Sequence, residues 1–168
     1  MLPGQILLTN LLTDFPEMGI ATDNVDPELV ERSRRWDVGF IRRFMLVFGP
    51  LSFLFDFLTF GALLLLLHAD ARQFRTGWFM ESVISASLIV LIIRTRKPFF
   101  RSRAGRFLAV ASFLVIATAL ALPFLPVAEV LGFQKVPFTF FPVLALIVFL
   151  YALGAELTKR IFYRHIPS

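Results

Sequence analysis

Cysteine is absent from this 168-residue sequence, which excludes a disulfide scaffold, a Cys-ligated zinc or copper centre and thiol catalysis. Histidine occurs only twice, as His68 and His165, and nothing groups the two as metal ligands. No internal repeat or low-complexity tract is present. Met1-Leu2-Pro3 puts no basic segment ahead of the first apolar run, so a cleavable signal peptide is not expected. What the chain has in excess is apolar character. Hydrophobic residues make up 57% of it, against about 45–50% in soluble domains, and the mean hydropathy is +0.75. The excess is gathered into stretches of roughly 16–24 residues, the length at which a helix crosses a bilayer. A soluble globular domain, a disordered tail and a collagen-like chain are excluded.

The pattern predicts an all-α fold, a polytopic membrane bundle of five transmembrane helices over about 3–20, 44–67, 77–93, 107–125 and 138–157. Residues 1–168 read as one domain. Lys and Arg number 17 against 12 Asp and Glu, a formal charge of +5. In a soluble protein this would suggest a nucleic-acid partner. In a membrane chain it reflects basic cytoplasmic loops, so the expected partner is the lipid bilayer and no nucleic acid. Fourteen of the 17 basic residues fall in alternate connectors and the tail, three in the others. The positive-inside rule then predicts a multi-pass plasma-membrane protein with its amino terminus outside and its carboxyl terminus in the cytoplasm.

The first span is the most polar. It contains Asn10, Thr13, Asp14 and Glu17, and charge at bilayer depth marks a protein interior or a water-filled cavity. Asn10 and Asp14, spaced i, i+4, share a helical face; Thr13 and Glu17 share the one beside it. Pro16 lacks an N–H, so the Leu12 carbonyl loses its helical partner, and unwound backbone at this depth survives only where it lines a site. Carboxylate, amide oxygen, hydroxyl and freed carbonyl are hard ligands, suited to Mg²⁺, Ca²⁺, Na⁺ or protons. The competing reading is that Asn10 and Asp14 join helices by hydrogen bonds. So polar a helix would insert poorly alone, and an upstream partner helix would explain it.

Other polar residues carry less. Asp56 and Glu81 are single acids within apolar runs, each either a buried interhelical partner or a transport residue. Glu156, three residues before Lys159, reads as a satisfied interfacial charge. Trp78, Tyr151 and Tyr163 fit aromatic belts, and the 21 Phe fit packing and lipid contact. Asp26-Pro27-Glu28 reads as the start of a short cytoplasmic helix, Glu28–Trp36. Its arginines would meet anionic lipid or a soluble domain.

Asn10-Leu11-Leu12-Thr13-Asp14 resembles the sixth transmembrane helix of cation-transporting P-type ATPases. The strings NLLTDFPEMGIATDNVDPE, RRWDVGFIRRFMLVFGPLSFLFDFLTF, GWFMESVISASLIVLIIRTRKPFFRSR and GAELTKR resemble the magnesium-importing branch, from that span to the tenth. The resemblance implies that Asn10 and Asp14 coordinate the transported Mg²⁺, with Thr13 a weaker third; many magnesium importers carry an aromatic at Thr13. Glu17 matches no coordinating position of the family and remains a reading of the residues alone. The family's Asp-Lys-Thr-Gly-Thr phosphorylation motif and Thr-Gly-Glu-Ser loop do not occur, and no Gly-rich phosphate loop replaces them. ATP would therefore act only through domains that this sequence does not contain, and the implied partner is the N-terminal part of such a pump. Expected is a fragment, a truncated frame or half of a split pump, with no ATP hydrolysis by itself. The alternative is an inert membrane scaffold or regulator bound to a complete pump.

Overall fold

A computed structural model describes residues 1–21, 23, 38–95 and 98–164. Among them the chain forms α1 (Pro3–Ile20), α2 (Val38–Gly61), α3 (Ala71–Ile93), α4 (Arg106–Ala121), the one-turn α5 (Val127–Val130) and α6 (Phe140–Arg164), with no strand. A π-helical turn, Ala62–Leu66, prolongs α2, and a 3₁₀ turn, Leu122–Phe124, prolongs α4. The expected Asp26-Pro27-Glu28 cap, the helix Glu28–Trp36 and His165 lie outside the described residues.

Four segments are long and apolar enough to cross a membrane: Val38–Leu66, Ala71–Ile93, Arg106–Phe124 and Phe140–Arg164. This corrects the expected count of five. α1 is helical where expected, but Gln5, Asn10, Asp14 and Glu17 within its 18 residues hold its apolarity below that of the other four. It nevertheless runs the height of the bundle, from a Gln5 contact at one end to Gly19 against Leu108 at the other. The chain is a multi-pass helical membrane protein.

α3 is the hub: it packs against α1, α2, α4 and α6. α1 and α4 pair on one side of it, and α2 and α6 pair on the other. The largest core cluster gathers Leu63, Phe79, Met80, Val83, Leu122 and Phe140. Phe53, Leu65, Phe113, Leu146 and Phe149 point outward. In water that surface would aggregate; in hydrocarbon it is at home. Between α2 and α6, Phe40, Phe44 and Phe48 stack one turn apart around Phe162, at 5.5, 5.8 and 6.2 Å. Such edge-on contacts add about 0.5–1.5 kcal/mol each beyond their buried area.

Polar ties close both ends. At one, the buried Gln5 amide donates to the Leu131 and Gly132 carbonyls, both at 3.2 Å, while its oxygen accepts from Leu2 N–H at 3.0 Å. Gly132 has φ +73°, and a Cβ there would strike the Leu2 side chain, so this corner requires glycine. At the other end, Lys159 donates to the Ile92 carbonyl at 2.9 Å and pairs with Glu156 at 2.8 Å. An otherwise open helix end is thereby capped by a cation.

Helix ends extend past the apolar runs for local reasons. α3 begins six residues before its expected start because Asp70 caps it, accepting from Arg72 N–H at 2.8 Å and Gln73 N–H at 2.9 Å. The Gln73 N–H bond is the main cause holding the Asp70 carboxyl below its ordinary range. α6 continues through its charged last turns to Arg164, with Glu156 also 3.4 Å from Arg160 one turn on.

Candidate functional site

α1 carries two faces with opposite tasks. Gln5, Pro16 and Gly19 are buried against the bundle, and Leu8 and Leu12 pack beside them onto the core. Asn10, Asp14 and Glu17 fall at i, i+4 and i+7, which forms one stripe along a helix, and all three are exposed. Thr13 is half-buried at the edge of that stripe. Its hydroxyl donates to the Thr9 and Asn10 carbonyls, both at 3.1 Å. The proton is thus engaged by the helix itself, while the oxygen keeps lone pairs free to accept.

The helix does not unwind at Pro16. It stays α-helical through Ile20, with the proline ring buried. Leu12 still lacks an N–H partner four residues on, but Leu12 and Pro16 lie on the packed side of α1, away from the Asn10–Asp14 stripe. Among the described residues, no group of three or more His, Asp or Glu could hold a metal ion. Among the described residues, the polar stripe on α1 is thus exposed, with no third acid or histidine gathered beside Asp14 and Glu17.

Elsewhere the structure brings together residues that the sequence leaves apart. Asp56 of α2 and Glu81 of α3 line one cavity. Trp78, expected in an aromatic belt, donates its indole N–H to Asp56 at 3.1 Å. Asp23, just beyond α1, pairs with Arg94 at the end of α3 at 2.7 Å, and both side chains are almost wholly buried. No sequence spacing announces either contact, because each joins residues far apart in the chain. In the sequence, Arg94 counts only among the 14 basic residues of the connectors and tail that orient the bundle.

One family accounts for nearly the whole length of this helical chain. Residues 1–161 match the family described as "Cation transporting ATPase, C-terminus". The chain belongs to this family. Among its relatives, a "Magnesium-transporting ATPase, P-type 1" of Salmonella typhimurium (strain LT2) is 39% identical over 98% of the chain. One of the same name from Escherichia coli (strain K12) is 38% identical over the same share, and a further Salmonella typhimurium protein 33%. This member of the cation-transporting ATPase C-terminal family spans 19% of the length of those relatives.

Proposed function

We propose that the chain is the carboxyl-terminal membrane part of a Mg²⁺-importing P-type pump, in which the Asn10–Asp14 face of α1 supplies part of the ion's oxygen shell. The observation that carries this reading is the α1 stripe. A carboxylate, an amide and a second acid face away from the bundle on a helix whose other side is packed into it. Charged groups exposed to hydrocarbon cost about 2.5–3.5 kcal/mol each even on lenient scales. Further helices of a complete pump, with water and an ion between, would remove that cost. Asn10 and Asp14 are the principal ligands, Thr13 an auxiliary one, and Glu17 a charge at the mouth of the path. Mg²⁺ is the cargo here, and ATP acts through cytosolic domains outside this sequence.

The matching relatives support the reading by name, since each is called a magnesium-transporting ATPase. Co-expression tests it. In cells deprived of their own Mg²⁺ importers, the chain and the upstream part of such a pump should restore growth on limiting Mg²⁺ only together. The chain alone should form no acid-stable phosphoenzyme, because its sequence holds no acceptor motif. Growth restored by the upstream part alone would reduce the chain to a bystander.

In the same proposal, the end of the bundle carrying Arg42, Arg94, Arg106 and Lys159 faces the cytoplasm. Arg72, Arg75 and Lys135 mark the outer end. A reporter fused after Ser168 should then be cytoplasmic, and one inserted in the 131–135 connector should be outside. Both reporters on one side would overturn this orientation.

A further inference from the structure

On the side of α3 opposite α1, a cavity of about 240 Å³ opens between α2, α3 and α6, lined by Ser52, Asp56, Glu81, Ser82, Ser85 and Tyr151. Glu81 is only 2% exposed, and its Oε2 has no hydrogen-bond partner among the described residues. Donors are scarce here. Ser85 gives its hydroxyl to the Glu81 backbone carbonyl at 2.8 Å. Ser52 and Tyr151 bond to each other at 3.1 Å. The Trp78 indole N–H goes to Asp56.

Among the described residues, the titratable groups facing this space are Asp56 from α2, Glu81 from α3 and Tyr151 from α6, and no Lys, Arg or His lines it. Two ionised carboxylates would thus share a membrane-embedded cavity with no positive side chain. Buried charges are otherwise paired, metal-bound or neutralised. Two acids are too few for a metal cage, and no larger acidic group is found among the described residues. A proton is the smallest cation that restores balance, because like charges at one site ionise one at a time.

We propose that Asp56 and Glu81 form a proton-binding pair, holding one proton between them at neutral pH, separate from the oxygen stripe on α1. The proton sits on Glu81, the more buried acid, and turns its unpartnered oxygen into a donor. Asp56 keeps the charge, stabilised by the Trp78 N–H and reached more easily by solvent. The pair is a point inside the bundle where a proton is taken up or released.

Infrared titration of the chain in lipid vesicles tests this. The unaltered chain should show a protonated carboxylic-acid C=O band at neutral pH. Glu81→Gln should remove that band. Asp56→Asn should move its disappearance to a pH lower by about one unit or more, since the like-charged neighbour is gone. Circular dichroism confirms that each variant keeps its helicity, and the unaltered chain is informative even if Glu81→Gln fails to fold. Absence of the acid band from the unaltered chain at neutral pH would overturn the pair. A titration unmoved by Asp56→Asn would equally overturn it, leaving Glu81 a lone buried acid. Loss of the band on adding millimolar Mg²⁺ at constant pH would assign the cavity to a metal ion and refute the proton.

Discussion

Replacing Asp23 with alanine should destabilise the bundle by about 3–5 kcal/mol, the cost of stranding one member of a buried ion pair. Arg94 donates to Asp23 at 2.7 Å and to the Ser102 carbonyl at 2.7 Å, and its side chain is 2% exposed. Asp23 also accepts the Gly105 N–H at the head of α4. One carboxylate therefore ties the end of α1, the end of α3 and the start of α4. Its loss leaves a buried guanidinium half-satisfied and an amide without a partner. Asp23→Asn retains an acceptor for Gly105 and should lose less. Arg94→Met should be nearly as harmful as Asp23→Ala, because it strands the acid instead. The double variant Asp23→Ala/Arg94→Met should recover much of the deficit, since neither charge is then buried alone. Resistance to denaturing detergent, followed by helicity, measures all four. A single Asp23→Ala variant as resistant as the unaltered chain would show that this tie contributes little.

The helices themselves were legible in the sequence because four of them are set by long apolar runs, a signal that needs no partner to interpret. α1 is legible on the same signal, the apolar stretch over about 3–20, although Asn10, Asp14 and Glu17 interrupt it. Read as the most polar of five spans, it falls short of the apolarity of the other four because these residues sit among the exposed Leu7, Leu11, Phe15 and Met18. Boundaries shifted where a cap or a charge pair outlasted the apolar run, as at Asp70 and at Glu156–Lys159. That Asn10 and Asp14 share a helical face was legible because they lie within one helix, where spacing translates directly into geometry. The Asp56–Glu81 cavity and the Asp23–Arg94 tie were not, because each depends on which helices become neighbours. α3 decides that. As the hub it supplies Trp78, Glu81 and Arg94 to three different contacts. In a single sequence these three look like ordinary residues of one apolar helix and its end.

The two polar sites differ in how the fold treats them, and that difference separates their expected phenotypes. Glu81 is enclosed by this chain's own helices, so its substitution perturbs packing as well as proton binding. Asp14 makes no hydrogen bond or ion pair among the described residues and is exposed on α1. Its substitution should leave the fold of this chain untouched, which makes it the cleaner probe.

Asp14→Asn, in a pump reassembled from this chain and its upstream part, should lower Mg²⁺ transport by about a hundredfold or more. A carboxylate beside a divalent ion at a partly dry site contributes several kcal/mol even at an effective dielectric constant near 20, and each 1.36 kcal/mol is about tenfold. Asparagine keeps the shape and one ligand oxygen but removes the charge that offsets stripping water from Mg²⁺, an ion that dehydrates reluctantly. Insertion and assembly should be unchanged, since no internal bond is lost. Asn10→Ala should weaken transport less, because it removes a neutral ligand that a water molecule replaces. Glu17→Gln should do little, as that acid stands at the end of the stripe beyond Pro16. Mg²⁺-dependent growth and uptake into vesicles, normalised to the amount of assembled protein, rank the three. Asp14→Asn transporting at the unaltered rate would make this acid a helix-joining residue and remove the ion site from α1.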